Sequence, residues 1–128
     1  MVMLAGRSLG LDSVQSLMNF HVLDGVPAPK WTLVQGMVQR HPDCEYFMMV
    51  ESTDDSATYE TKRRQNPRPQ RLTYTLAQAE QAGRIRPGGG WAKDGAAMCR
   101  KTAAVHLGRA VFPDLPIFGF YTTEELED

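Results

Sequence analysis

Apolar positions along this chain change period several times, and each change marks a predicted element. Val2 to Met18 carries apolar residues at helical spacing, interrupted at Gly10, with Asp12 or Ser13 placed to cap a fresh turn. Asn19 to Leu23 reads as a strand, Asp24-Gly25 as a tight turn, and Val26 to Lys30 as the return strand. Pro27 and Pro29 lack an N–H, which confines that strand to a short or edge position. Leu33, Val34, Met37 and Val38 return to helical spacing behind Thr32, a predicted cap, and His41-Pro42-Asp43 stops the helix near Arg40.

Three β-like runs follow. Glu45 to Glu51 is aromatic and apolar, Ala57 to Lys62 alternates, and Arg71 to Thr75 places Leu72 and Tyr74 on one face. Phe47, Tyr59 and Tyr74 are the predicted core residues of these strands, and Trp31 the anchor at the start of the preceding helix. Turn residues 52–56 and the loop 63–70 separate the runs, so antiparallel pairing as a meander is expected. Thr75 is placed to cap a short helix that Gly83 ends. A polar loop from Arg84 to Gly90 then leads through Trp91 into a long helix that runs to Phe112-Pro113. A short apolar segment and a capped acidic turn, TTEELED, close the chain. The order predicts an α+β fold: a β-hairpin and a three-stranded antiparallel meander packed with helices, in one compact domain over residues 1–128.

Charge changes the picture more than composition does. The formal net charge is −1, yet eleven basic residues lie between Lys62 and Arg109 against two acidic ones, Glu80 and Asp94, a local balance of +9 (11 − 2). Outside that stretch three basic residues face thirteen acidic ones. Such segregation predicts a face for a polyanion, or else a solvated basic loop with no ligand. No apolar run reaches the roughly 20 residues that span a bilayer, and no signal peptide is evident. Two cysteines, Cys44 and Cys99, make no disulfide framework and are expected to be reduced thiols in a cytoplasmic protein.

The candidate chemistry is therefore phosphate binding. Arg100 and Lys101 are neighbours on the long helix, and Lys93 falls near Arg100 on its wheel with Ala97, Ala104 and Gly108 between them. Small residues flanked by cations let a phosphate backbone approach; alternatively, the same residues pack the helix on a strand. Arg63, Arg64, Arg68 and Arg71 surround a loop stiffened by Pro67 and Pro69, either a phosphate clamp or a solvated tip. Lys30 is a further candidate, and Arg109, well around the helix from Arg100, serves either a nucleic acid, a neighbouring subunit or a buried pair. Trp91 is placed to stack on a base or to staple the helix to the core. His41, Cys44, Cys99 and His106 are not spaced as metal ligands, no nucleophile has a base beside it, and Gly88-Gly89-Gly90 is not followed by G-K-[ST]. No catalytic residue, metal or cofactor is expected.

Three stretches carry a family resemblance. The first is the Gly-Leu and Gln15 segment leading to Asp24-Gly25, a proline and a helix; the second is the meander closing in Ala82-Gly83. The third is Trp91 after a glycine loop, then Met98, Arg100, Lys101-Thr102, a further basic residue and a proline. Taken in order, from LAGRSLGLDSVQSLMNF through YTTEEL, the chain resembles the RecT/Redβ family of phage single-strand DNA annealing proteins. The resemblance implies an annealing-type core without enzymatic activity, which binds single-stranded DNA and pairs complementary strands in phage recombination without ATP. It also implies homo-oligomers on DNA (rings, arcs or filaments) and contacts with a phage exonuclease or a host single-strand-binding protein. Longer relatives carry N- and C-terminal extensions that this chain is expected to lack, which leaves open a second role: a non-assembling interaction module that modulates a recombinase or a host DNA-processing complex.

Overall fold

The computed structural model describes residues 20–23, 26–120, 122 and 125. The helix expected before Asn19 and the Asp24-Gly25 turn lie outside the described residues. Strands β1 (Phe20–Leu23) and β2 (Val26–Pro29) pair antiparallel, with Leu23 opposite Val26. That register leaves the two-residue connection that the Asp-Gly pair predicts. The two strands form a sheet of their own, so both are edges and the prolines of β2 remove no ladder bond from a central strand.

Helix α1 (Trp31–Gln39) starts two residues earlier than a cap at Thr32 predicts. Lys30 is its N-cap, and its carbonyl accepts from the Leu33 and Val34 amides at 3.0 and 3.4 Å. Starting there puts Trp31, packed against both parts of the core, at the first helical position, and Thr32 turns outward. Packing of the indole thus overrides the cap preference of a threonine that has no role at the helix start.

The meander is as the alternation predicts: β3 (Cys44–Ser52), β4 (Ser56–Arg63) and β5 (Gln70–Thr75) form an antiparallel sheet in the order β3-β4-β5. The fold is α+β. Ala57, Tyr59 and Thr61 of β4 point inward between Phe47 of β3 and Leu72 and Tyr74 of β5, which period two requires. Thr75 closes a capping box at the start of helix α2 (Leu76–Gln81): its hydroxyl accepts from the Gln78 amide and the Gln78 side chain accepts from the Thr75 amide. A one-turn helix, α3 (Gly90–Lys93), precedes the long helix α4 (Gly95–Val111), and a 3₁₀ turn covers Pro116–Gly119.

Helix α4 lies across the inner face of the meander and is buried on most of its circumference. Met98, Cys99, Thr102, Ala103, Ala104, Val105, Leu107 and Gly108 are all covered. Its small residues are what bring it close. A β-carbon built on Gly108 would lie 3.1 Å from both Val38 of α1 and Phe118 of the 3₁₀ turn. Val38 is fully buried and has nowhere to retreat. Alanine gains about 1 kcal/mol of helix propensity over glycine, against about 1–3 kcal/mol for overpacking a filled core. Gly108→Ala is therefore expected to lower stability by about 1 kcal/mol and Gly108→Val by more, read from urea-unfolding midpoints.

Candidate nucleic-acid interface

Four cations of the basic stretch meet acids from outside it. Arg63 donates through Nε to Asp43 (2.8 Å) and through Nη1 to Asp114 (2.9 Å) and the Val111 carbonyl (3.0 Å), with its guanidinium 4.8 Å from the Phe112 ring centre. Lys62 pairs with Glu45. Arg71 pairs with Glu60 at 2.7 Å, and the same carboxylate accepts from the Tyr46 hydroxyl at 2.6 Å. Arg109 pairs with Glu125 at 2.7 Å. These bonds hold Asp114 far below the usual carboxylate range, chiefly through Arg63 and then His41, and lower Asp43 and Glu60. Burial raises Glu125, but Arg109 and the Thr122 amide outweigh it and the net direction is down.

Two of these pairs tie elements together. Arg63 joins the end of β4 to the α1–β3 loop and to the residues after α4, where His41 also binds Asp114 at 2.8 Å. Arg109 holds the carboxylate that takes the Thr122 amide at 2.9 Å, while the Glu125 amide bonds the Thr122 hydroxyl at 3.4 Å. This is the closing cap that T-x-x-E predicts, and it answers for Arg109: the buried-pair alternative is the one realised.

Trp91 belongs to the core. It is 3% exposed, with its indole centre 5.8 Å from Tyr74. The staple alternative holds, and no face of the indole is open to a base. Lys93 also departs from expectation. The chain breaks at Asp94 (φ −151°, ψ 77°), whose carboxylate caps α4 by accepting from the Ala97 amide at 3.1 Å. Lys93 therefore sits on α3, outside the wheel that placed it beside Arg100. Ala104 and Gly108 face the interior, so the small strip packs the helix and does not admit phosphate. Arg100 reaches the other way, to the Ser52 hydroxyl at 3.3 Å, beside the β3–β4 turn. Lys30 stands half-buried at the start of α1, while Arg64 and Arg68 lie exposed on the β4–β5 loop, Arg64 bonding the Pro42 carbonyl at 3.2 Å.

What the structure does bring together is Lys101 and Arg84. Both line one shallow concavity with Thr102, Val105, His106, Thr122 and Glu125, and neither has an acidic partner among the described residues. Its interior holds about 10 Å³, room for a single water, so an anion would lie across the rim. Arg84 belongs to the basic count but not to the candidate set read from the sequence. Its position follows from a Schellman motif at the end of α2. Gly83 takes φ +72°, the Arg84 amide bonds Ala79 at 2.9 Å, and the Gly83 amide bonds Glu80 at 3.0 Å. The dipeptide Gly83-Arg84 carries that signal: a left-handed residue throws the next one back along the helix.

His106 lines the same concavity and meets the Tyr74 ring edge-on at 5.6 Å. Burial lowers its pKa first, and Arg109 and Arg84 lower it further against Glu125. The unfolded chain therefore binds a proton that the folded chain resists. Stability is fully present above about pH 6.5, the ordinary histidine value, and is lost as pH falls below it towards the lowered value. His106→Gln is expected to flatten the fall in urea midpoint between about pH 7 and pH 5, and an unchanged slope would assign that fall to another group.

Compared with known proteins, the chain matches no family model and no curated protein.

Proposed function

We propose that the chain binds single-stranded DNA through its backbone and anneals complementary strands without ATP or metal, in the manner of the RecT/Redβ proteins it resembles. One observation carries this reading: Arg84 and Lys101, from separate elements, line one concavity, neither has a salt bridge among the described residues, and the carboxylate beside them, Glu125, is taken up by Arg109. Arg64 and Arg68 add a second exposed pair on the β4–β5 loop. A sequence-independent binder needs phosphate contacts of this kind, and counterion release makes them the source of its affinity. Arg63 and Arg109 tie elements of the fold together, Arg71 is neutralised by Glu60, and Trp91 supports the interface from beneath.

Affinity for oligo-dT should fall steeply with salt. Arg84→Ala with Lys101→Ala should reduce the slope of log K against log salt by about one to one and a half, the value for two phosphate contacts on a single strand. Lys62→Ala, which removes a cation paired with Glu45 and outside the concavity, should leave that slope unchanged. A slope that does not respond to the double variant removes this concavity from the interface. Annealing of two labelled complementary oligonucleotides without nucleotide or metal then tests the activity itself.

Assembly on DNA is part of the reading, and the β3 edge supports it. Met48, Met49 and Val50 are 50%, 48% and 41% exposed, side by side on an outer strand. The register with β4 shifts between Met49 and Glu51, an irregularity that bends this outer strand at Val50. Contact with a second copy would then run through side chains more than through strand addition. Met49→Lys is expected to shorten the assemblies that light scattering detects on oligo-dT while binding persists; a persistent monomer in both forms would favour the interaction module.

A further inference from the structure

A cavity of about 310 Å³ lies between the open edge of β5 and the last turns of α4. Leu72, Leu107, Ala110 and Val111 give it an apolar floor, and the amides of Asn66 and Gln70 stand at its rim. Its two arginines are both engaged. Arg63 forms one wall, pinned by Asp43, Asp114 and the Val111 carbonyl, and Arg71 pairs with Glu60. The cavity therefore offers no uncompensated cation to a phosphate. It suits a flat, neutral group with polar edges. Gln70 is exposed and supplies a donor and an acceptor; Asn66 accepts the Arg68 amide at 3.1 Å through Oδ1, which turns its NH₂ towards other acceptors. The volume is at the small end of ligand sites and admits one nucleobase.

Position reinforces chemistry. Tyr74 meets His106, and Leu72 lines the cavity with Ala110, so β5 runs alongside α4. His106 and Ala110 are one helical turn apart on one face, about 6 Å. The concavity holding Arg84 and Lys101 is therefore followed directly by the cavity, and the loop with Arg64 and Arg68 lies at its far end. We infer that this cavity receives a splayed-out base of the bound single strand, while the cations on either side hold the flanking phosphates. The inference rests on the single-strand-binding reading and adds a base contact to it.

The test compares oligo-dT with an abasic oligonucleotide of equal length and charge, at one salt concentration. Base contacts of this kind predict about tenfold tighter binding of oligo-dT. Ala110→Leu with Gln70→Leu narrows the cavity from two exposed positions without changing charge. The double variant should remove most of that tenfold gap, keep the salt slope, and leave the thermal midpoint unmoved. Equal affinity of the native chain for both oligonucleotides would overturn the base cavity and leave phosphate binding standing, and so would a gap that survives the double variant. No salt-sensitive binding of either oligonucleotide would overturn the DNA reading, and the cavity's role with it.

Discussion

Close approach of helix α4 to the meander is the constraint on which the other features depend. A helix covered on most sides must present small residues where its backbone meets its neighbours, and Ala103, Ala104 and Gly108 do so. The same requirement leaves few positions for cations. Arg100 and Lys101, adjacent in sequence, emerge on opposite rims: one beside Ser52 at the β3–β4 turn, the other beside Arg84 and His106. Packing of the core thus decides which basic residues share a surface.

Ion pairing decides how much of the basic charge is available. Within Lys62 to Arg109 the balance is +9, but Lys62, Arg63, Arg71 and Arg109 pair with Glu45, Asp43 with Asp114, Glu60 and Glu125, all outside that stretch. Exposed pairs such as Arg71–Glu60 add little stability. Their effect on electrostatics is larger, because each lowers the local field that a polyanion meets. The segregation visible along the chain is partly undone in space. What remains without a salt bridge in that stretch is the concavity at Arg84 and Lys101, the loop with Arg64 and Arg68, Arg100 beside Ser52, and the exposed Arg86 and Lys93.

The fold was more legible than the site, for a physical reason. Period-two burial places Phe47, Tyr59 and Tyr74 in the core, and the Thr75 capping box and the hairpin register follow from residues within a few positions of one another. Local rules suffice there. Trp91 and the Ala104–Gly108 strip were ambiguous because either surface use or packing fits their spacing, and only the position of the sheet chooses. Lys93 was misplaced because Asp94 is both a plausible interior residue and a good cap; the cap prevailed and broke the helix. Arg84 was missed although its signal is local: Gly83 with positive φ turns it towards α4.

Strand β5 links two groups of cations that have no salt bridge among the described residues. The loop with Arg64 and Arg68 enters it at Gln70, and α2 with its Schellman turn carries the chain from Thr75 to Arg84. Six residues of strand measure roughly 20 Å, so the separation of the cations is set by a hydrogen-bonded element and not by flexible side chains. Between them the open edge of β5 offers Leu72 and Gln70 to the cavity, while its other edge is held by β4. A strand of DNA lying along this edge would meet cation, apolar floor and cation in fixed order. On the proposed single-strand-binding reading, rigid spacing of that kind would keep a bound strand extended for a complementary partner.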